Sequence, residues 1–284
     1  LNERSGTAGG ENESGRQRLL IFAHDSTDSR VIKRIRAFQD NDFELIVMAY
    51  RRERYNPDFV PDWTNIDLGT LPDRAVARRL VLLLGAVGKI IRHRKLLRTA
   101  NSAYAINLDL AFLALIARTI CGSWRHITYE VADIHPRLVA SSPASAGLRW
   151  LERRVLARCS LLVTTSPGFL QHWFEEQQGY AGRSYLLENR LYPRGLPARE
   201  TVGTGGQQSD DRADPGRWTI GWFGALRCER TLELIRSTAI ALPDEVTFYL
   251  RGAPTIIEGE RFRETVNALP NIVWEGIYRH PDDL

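Results

Sequence analysis

The chain has 284 residues, 43% hydrophobic and 25% charged, with 22 Gly and 13 Pro, the composition of a folded globular protein and not of a disordered, collagen-like or disulfide-stapled one. Its 38 Lys and Arg against 34 Asp and Glu leave a net charge of +4, and Lys33, Lys89 and Lys95 are its lysines, so the basic excess is guanidinium, the group that grips phosphate in a bidentate fork. Cys121, Cys159 and Cys228 show no CxxC or Cys/His ligand spacing, which argues against structural zinc and a disulfide framework and fits a reducing, cytoplasmic compartment, and no run approaches the roughly 18 to 20 apolar residues of a membrane span.

The first 17 residues are rich in Gly, Ser, Glu and Asn and lack an apolar core segment, so they read as a disordered tail and not a signal peptide. From Arg18 onward short apolar runs alternate with helical patterns, the signature of βαβ units and a parallel sheet. Strands are expected at Leu19 to Ala23, Glu44 to Tyr50, Asn65 to Leu68, Ala103 to Asn107, Ile127 to Val131, Leu161 to Thr165 and Tyr185 to Glu188. Helices are expected around Ser29 to Gln39, Arg74 to Arg98, Leu110 to Ile120, Ala146 to Ala157 and Pro167 to Gln177, from capping or Pro signals or from apolar residues three and four apart.

This first α/β domain spans 18 to 200. The stretch 201 to 217 is almost devoid of apolar residues and reads as a linker. The alternation restarts with strand Thr219 to Phe223, helix Glu229 to Leu242, strand Val246 to Leu250, helix Ile256 to Leu269 and strand Ile272 to Glu275. A second domain, 218 to 284, thus begins, and His280-Pro-Asp-Asp-Leu284 reads as the capped start of a further helix. Three strands are a thin basis for a doubly wound domain, and position 1 is not Met, so the chain is expected to be a fragment lacking its C-terminal end.

Neither domain opens with G-x-G-x-x-G after its first strand, and no Walker A motif occurs, which disfavours an NAD dehydrogenase or a P-loop NTPase. Ligands of open α/β sheets sit outside the carboxyl ends of the strands, so the residues that follow each strand are the candidates. After the first strand come His24, Asp25 and Asp28. Helix capping accounts for Asp28, whereas His24 and Asp25 are candidates to line an acceptor cleft. The run Thr128-Tyr-Glu-Val-Ala-Asp133 turns polar at its end and offers Glu130 and Asp133 for acid/base work or sugar-hydroxyl binding; the structural alternative pairs Glu130 with an Arg and lets Asp133 end the strand.

Between Arg74 and Arg98 eight basic residues interleave with LVLLLGAVG and Ile90-Ile91 without an acid, a pattern that fits either a helix lying on an anionic membrane surface or a packed helix with a solvated Arg face. No aromatic residues interleave them, so single-stranded nucleic acid lacks its stacking platform. In the second domain Gly224, Arg227 and Arg230 form a turn at a helix start with two guanidinium groups, an arrangement suited to a diphosphate.

The segments Leu161-Leu-Val-Thr-Thr-Ser-Pro167, Leu186-Leu-Glu-Asn189, Ile220-Gly-Trp-Phe-Gly224-Ala-Leu and Asn271-Ile-Val-Trp-Glu-Gly276 with the following Pro-Asp-Asp-Leu resemble, in order, the signposts of glycosyltransferase family 4, most closely its bacterial exopolysaccharide branch. The resemblance runs from Arg18 to Leu284. It implies a GT-B architecture of two Rossmann-like domains with parallel sheets, the second incomplete here. It also implies retaining transfer of a sugar from a nucleotide-diphosphate donor to a saccharide acceptor, lipid-linked in exopolysaccharide assembly, without metal or other cofactor. The diphosphate would be held by Gly224, Arg227 and Arg230, the acceptor by His24 and Asp25, and the chemistry would fall to Asp133 and Glu130. Two departures stand out: Ala225 occupies the family's Arg position and Ala132 its His position, and Arg230 falls at the family's Lys. The family's paired glutamates would lie beyond Leu284, so this chain alone is expected to be catalytically poor. An epimerase of the same architecture and a non-catalytic saccharide-binding partner are the alternatives.

Overall fold

A computed structural model describes residues 16–52, 59–70, 76–122, 124–188, 216–224, 226, 228–252, 254 and 259–276. The chain divides into two compact units, Leu1–Arg190 and Leu191–Leu284. Most of the 201 to 217 stretch and the final His280 to Leu284 lie outside the described residues, as do residues 1 to 15.

The first unit is built on a seven-stranded, all-parallel sheet. In chain order its elements are β1 (Arg18–Ala23), α1 (Ser29–Asp40), β2 (Glu44–Arg51), β3 (Thr64–Thr70), α2 (Val76–Leu97), β4 (Ser102–Ile106), α3 (Leu108–Cys121), β5 (His126–Val131), α4 (Pro136–Val139), α5 (Pro143–Leu156), β6 (Leu161–Thr164), a π-helix (Phe169–Gln177) and β7 (Ser184–Leu186). The strand order is β3-β2-β1-β4-β5-β6-β7, so the winding reverses between β1 and β4, where the loops that leave the two strands part and open a crevice.

The central strands are continuous apolar runs because both faces of the sheet are covered. Along β1, Leu20 and Phe22 join the core under α2, α3 and α5, while Leu19, Ile21 and Ala23 join the core under α1. The same alternation sends Ile46, Met48 and Tyr50 of β2 to the first core and Leu45, Val47 and Ala49 to the second.

The expected helix over Pro167 to Gln177 forms, but as a π-helix, with Gln178 N–H donating to the Trp173 carbonyl at 2.9 Å. The carboxylate of Glu152 on α5 accounts for the wider winding. It accepts from Trp173 Nε1 at 2.9 Å, from Tyr129 Oη at 3.1 Å and from Gln178 Nε2. Residues five apart fall on one side of a helix only when it is wound i to i+5.

The second unit carries a three-stranded parallel sheet in the order β10-β9-β8, from β8 (Trp218–Phe223), β9 (Val246–Arg251) and β10 (Ile272–Trp274), with α6 (Glu229–Ala241) and α7 (Gly259–Ala268) between them. Leu232 and Ile235 of α6, Phe262 of α7 and Phe248 and Leu250 of β9 close its core.

Candidate functional site

At the carboxyl end of β1 the five residues His24 to Asp28 turn the chain into α1. Asp25 is buried, and its Oδ1 accepts from the N–H of Thr27 (2.9 Å), the hydroxyl of Thr27 (2.8 Å) and the N–H of Arg52 beyond β2 (3.2 Å). That carboxylate oxygen is therefore engaged in folding the loop and tying it to β2. Asp28 caps α1 as its sequence context predicts, accepting from the N–H groups of Arg30 and Val31. Burial pushes the Asp28 carboxyl up, but the hydrogen bond from His24 and the charges of Arg30 and His24 outweigh it and hold the group far below the usual carboxylate range. His24 lies beside it, Nε2 to Oδ2 3.5 Å, and its buried Nδ1 has no partner among the described residues.

Parallel pairing brings three strand ends side by side. Phe22 of β1 registers with Ala105 of β4, so His24 and Asn107, two steps on, leave the sheet at the same level. Asn107 has φ 77° and ψ 159°, a backbone conformation for which glycine is the usual residue, and its side chain does not cap α3. Its N–H donates to the carbonyl of Glu130 at 2.9 Å, which pins it to β5. Nothing in the order of residue types marked Asn107 as special; an Asn between strand and helix reads as an ordinary cap.

The two acidic residues of β5 separate sharply. Glu130 is 5% exposed, with Arg34 of α1 donating to it through Nη2 (2.8 Å) and Nε (3.1 Å) and Tyr104 of β4 through its hydroxyl (2.5 Å). Burial and the adjacent Glu130 charge raise the Tyr104 phenol well above its ordinary range, which keeps it a donor. The geometry is that of an anchoring ion pair, the structural alternative that the sequence left open for Glu130. Asp133 is exposed just past the strand. Its loop is pinned on both sides: Thr165 Oγ1 donates to the Ala132 carbonyl at 3.0 Å, and His135 Nδ1 accepts from Arg137 N–H at the start of α4. Asp133 is thus presented on a fixed loop with its carboxylate free of partners among the described residues.

In the second unit each strand is followed by a glycine with positive φ: Gly224 (119°), Gly252 (146°) and Gly276 (81°). Gly224 N–H donates to Arg251 O at 3.0 Å and Gly252 N–H to Gly276 O at 2.8 Å, and a Cβ on Gly252 would stand 1.7 Å from the Gly224 carbonyl oxygen. At these three positions the carboxyl edge of this sheet presents backbone without a side chain, the condition for close approach of a ligand. The sequence carries a signal for this, a glycine within two residues of the end of every strand of the second unit. Arg230 is exposed in the first turn of α6 and lines a groove with Glu229, Glu233, Ser237 and Arg261, in which Arg261 pairs with both glutamates. Arg227 lies outside the described residues.

Two units with parallel sheets, the first wound in opposite directions from β1 and β4, make this an α/β chain of the GT-B class. HepE of Anabaena, solved in complex with UDP and glucose, matches with a TM-score of 0.58 at 15% identity over 92% of this chain and 70% of that one. The lipopolysaccharide outer core galactosyltransferase WaaB in its apo form gives 0.56 at 10% over 93% and 69%, and the UDP-GlcNAc 2-epimerase of Neisseria meningitidis 0.54 at 12% over 93% and 73%. Identities this low speak for the fold alone. In sequence the chain is 31% identical over 268 residues to the succinoglycan biosynthesis protein ExoL of Rhizobium meliloti strain 1021, an alignment covering 94% of this chain and 65% of that protein. No family model matches.

Proposed function

We propose that this protein transfers a sugar from a nucleotide-diphosphate donor to a saccharide acceptor during exopolysaccharide assembly. The observation that carries this reading is the 31% identity to ExoL along 94% of the chain, and the GT-B fold agrees with it. The glycines at the strand ends of the second unit, Gly224 foremost, with Arg230 in the first turn of α6 and Arg227 three positions before it in sequence, fit the donor diphosphate. In the first unit His24 and Asn107 are the candidates to bind the acceptor, Asp25 builds their loop, and Asp133, exposed past β5, is the candidate for the chemistry. Glu130 supports this constellation by fixing β5 to α1.

Transfer with retention of configuration and a family 4 lineage belong to the same proposal. The transition state then carries oxocarbenium character, and the leaving diphosphate takes up negative charge. Preorganised guanidinium and backbone N–H groups stabilise that charge without reorganising. The donor's own phosphate accepts the proton of the attacking hydroxyl, so the protein's task is to position the two substrates.

The test is incubation of the full-length gene product with a panel of UDP- and other nucleotide sugars, with and without lipid-linked and free oligosaccharide acceptors, following nucleotide release and the mass of the acceptor. Acceptor-dependent nucleotide release with a hexose added to the acceptor is the expected result. Conversion of the donor without an acceptor would instead identify an epimerase, and failure to bind any nucleotide sugar would leave the non-catalytic alternative standing.

A further inference from the structure

We infer that Thr165 is a positioning residue for the transfer, whose hydroxyl fixes, through the carbonyl of Ala132, the place from which Asp133 presents its carboxylate; the role rests on the proposed function, in which Asp133 meets the substrates. The pairing of β5 with β6 ends at Val131 and Thr164. One residue further on, a side chain makes the cross-strand bond, with Thr165 Oγ1 donating to the Ala132 carbonyl at 3.0 Å. The carbonyl of Ala132 and the Cα of Asp133 belong to one planar peptide group, so holding the oxygen holds the plane from which Asp133 departs. On the other side of Asp133, Ile134 packs against the core, and His135 Nδ1 caps α4 by accepting from Arg137 N–H at 3.2 Å. The exposed Asp133 thus stands between two fixed neighbours.

Thr165 is held in its turn. The chain beyond it winds into the π-helix, where Trp173 and, just past its end, Gln178 donate to Glu152, and Tyr129 of β5 donates to the same carboxylate at 3.1 Å. Glu152 therefore ties β5 to the segment after β6 from a point two residues before the end of β5, and Thr165 ties the two again one residue beyond it. Valine, branched in the same way, would serve the backbone at 165 equally well; what threonine adds is the donor. Thr165 and Ala132 are both partly exposed, so water takes the freed carbonyl when the hydroxyl is removed, and the fold does not depend on the bond. The hydroxyl is accounted for by what it aims and not by what it stabilises.

The experiment compares the full-length gene product with Thr165→Val, Thr165→Ser, Asp133→Asn and the double variant Thr165→Val with Asp133→Asn. Thr165→Val should lower kcat at least about tenfold, with the KM of donor and of acceptor within about twofold of the parent and Tm unchanged. Thr165→Ser, which keeps the donor, should recover kcat to within about threefold. Asp133→Asn should lower kcat by about 100-fold or more, and adding Thr165→Val to it should lower kcat no further, because a residue that acts through Asp133 has nothing left to position. Without any substrate, amide hydrogen exchange over Ala132 to Ile134 should quicken in Thr165→Val and not in Thr165→Ser. Unchanged exchange in Thr165→Val overturns the positioning role whatever the activity. Parent-like kcat in Thr165→Val beside an impaired Asp133→Asn, or an undiminished further loss in the double variant, overturns it and leaves the transferase reading intact. Parent-like kcat in Asp133→Asn removes Asp133 from the chemistry, and the role of Thr165 falls with it.

Discussion

Arg34 of α1 and Glu130 of β5 stand 96 residues apart in sequence and meet through two hydrogen bonds of 2.8 and 3.1 Å, with the Tyr104 hydroxyl on the same carboxylate. The ion pair fastens the helix that follows the first strand to the sheet beside the crevice. Removing one partner leaves a buried charge uncompensated, so Glu130→Ala should lower the free energy of unfolding by about 3 to 5 kcal/mol. Urea unfolding checks the loss. Turnover per folded molecule should stay within about threefold of the parent if Glu130 acts only as an anchor, whereas a loss of 100-fold or more would make it a participant in the chemistry.

Asn107 holds a backbone conformation that costs on the order of 1 to 3 kcal/mol for a residue other than glycine. Asn107→Gly should therefore stabilise the protein, by about 1 kcal/mol after the entropy of the unfolded glycine is offset. The side chain placed level with His24 is lost in the same change. The proposed acceptor role predicts a raised KM for acceptor with an unchanged KM for donor. An unaltered acceptor KM would show that the strain serves only the turn.

The carboxyl of Asp28 lies far below its unfolded value of 3.8. Its stabilising contribution is therefore complete above that pH and drains away as the pH falls through it. Asp28→Asn retains the cap oxygen for Arg30 and Val31 but not the charge, so the variant should lose less stability than the parent between neutral pH and pH 3.8 and below. Urea midpoints across that range give the comparison.

Glu152 behaves with the opposite sign. Burial raises its carboxyl above 4.5, against hydrogen bonds from Trp173, Gln178 and Tyr129 that lower it. The folded state then binds the proton more tightly than the unfolded one, so this contribution is full below 4.5 and is lost as the pH climbs through the raised value. Glu152→Gln should flatten that decline. Glu152→Ala leaves three buried donors without an acceptor and should cost about 3 kcal/mol or more at any pH, with the π-helix the first segment to lose protection in hydrogen exchange.

Replacing Arg227 and Arg230 together by Ala should reduce kcat/KM of the full-length enzyme by at least about 100-fold, since charge on the leaving diphosphate would lose its proposed cationic partners. Steady-state kinetics with a nucleotide sugar and acceptor measure it. An unchanged kcat/KM removes both residues from the site.

The parallel sheets were legible in the sequence because a strand covered on both faces must be apolar along its core, as β1, β2 and β4 are, and because some helices announce their start with a cap or a proline, as Asp28 does for α1 and Ser142 with Pro143 for α5. The same periodicity put candidate residues at strand ends, and His24, Asp133 and Gly224 do lie there. It could not say which polar groups remain available. Glu130 and Asp133 are three positions apart and chemically alike, yet one is enclosed by Arg34 and Tyr104 and the other is exposed, a difference made by α1 and β4 and not by anything local to β5.

By itself, then, the sequence determined the fold class, the strand positions to within two residues at each end and the basic character of α2, because these follow from periodicity and composition over a few turns of chain. Only the tertiary structure decided that Asp25 and Glu130 are engaged internally, that Asn107 stands strained beside His24, that Trp173 and Gln178 wind a π-helix around Glu152, and that Val81, Leu84 and Ile91 face outward. Each of these is a relation between residues far apart in the chain or a choice of which face is buried, and such choices are made by packing after the elements have formed.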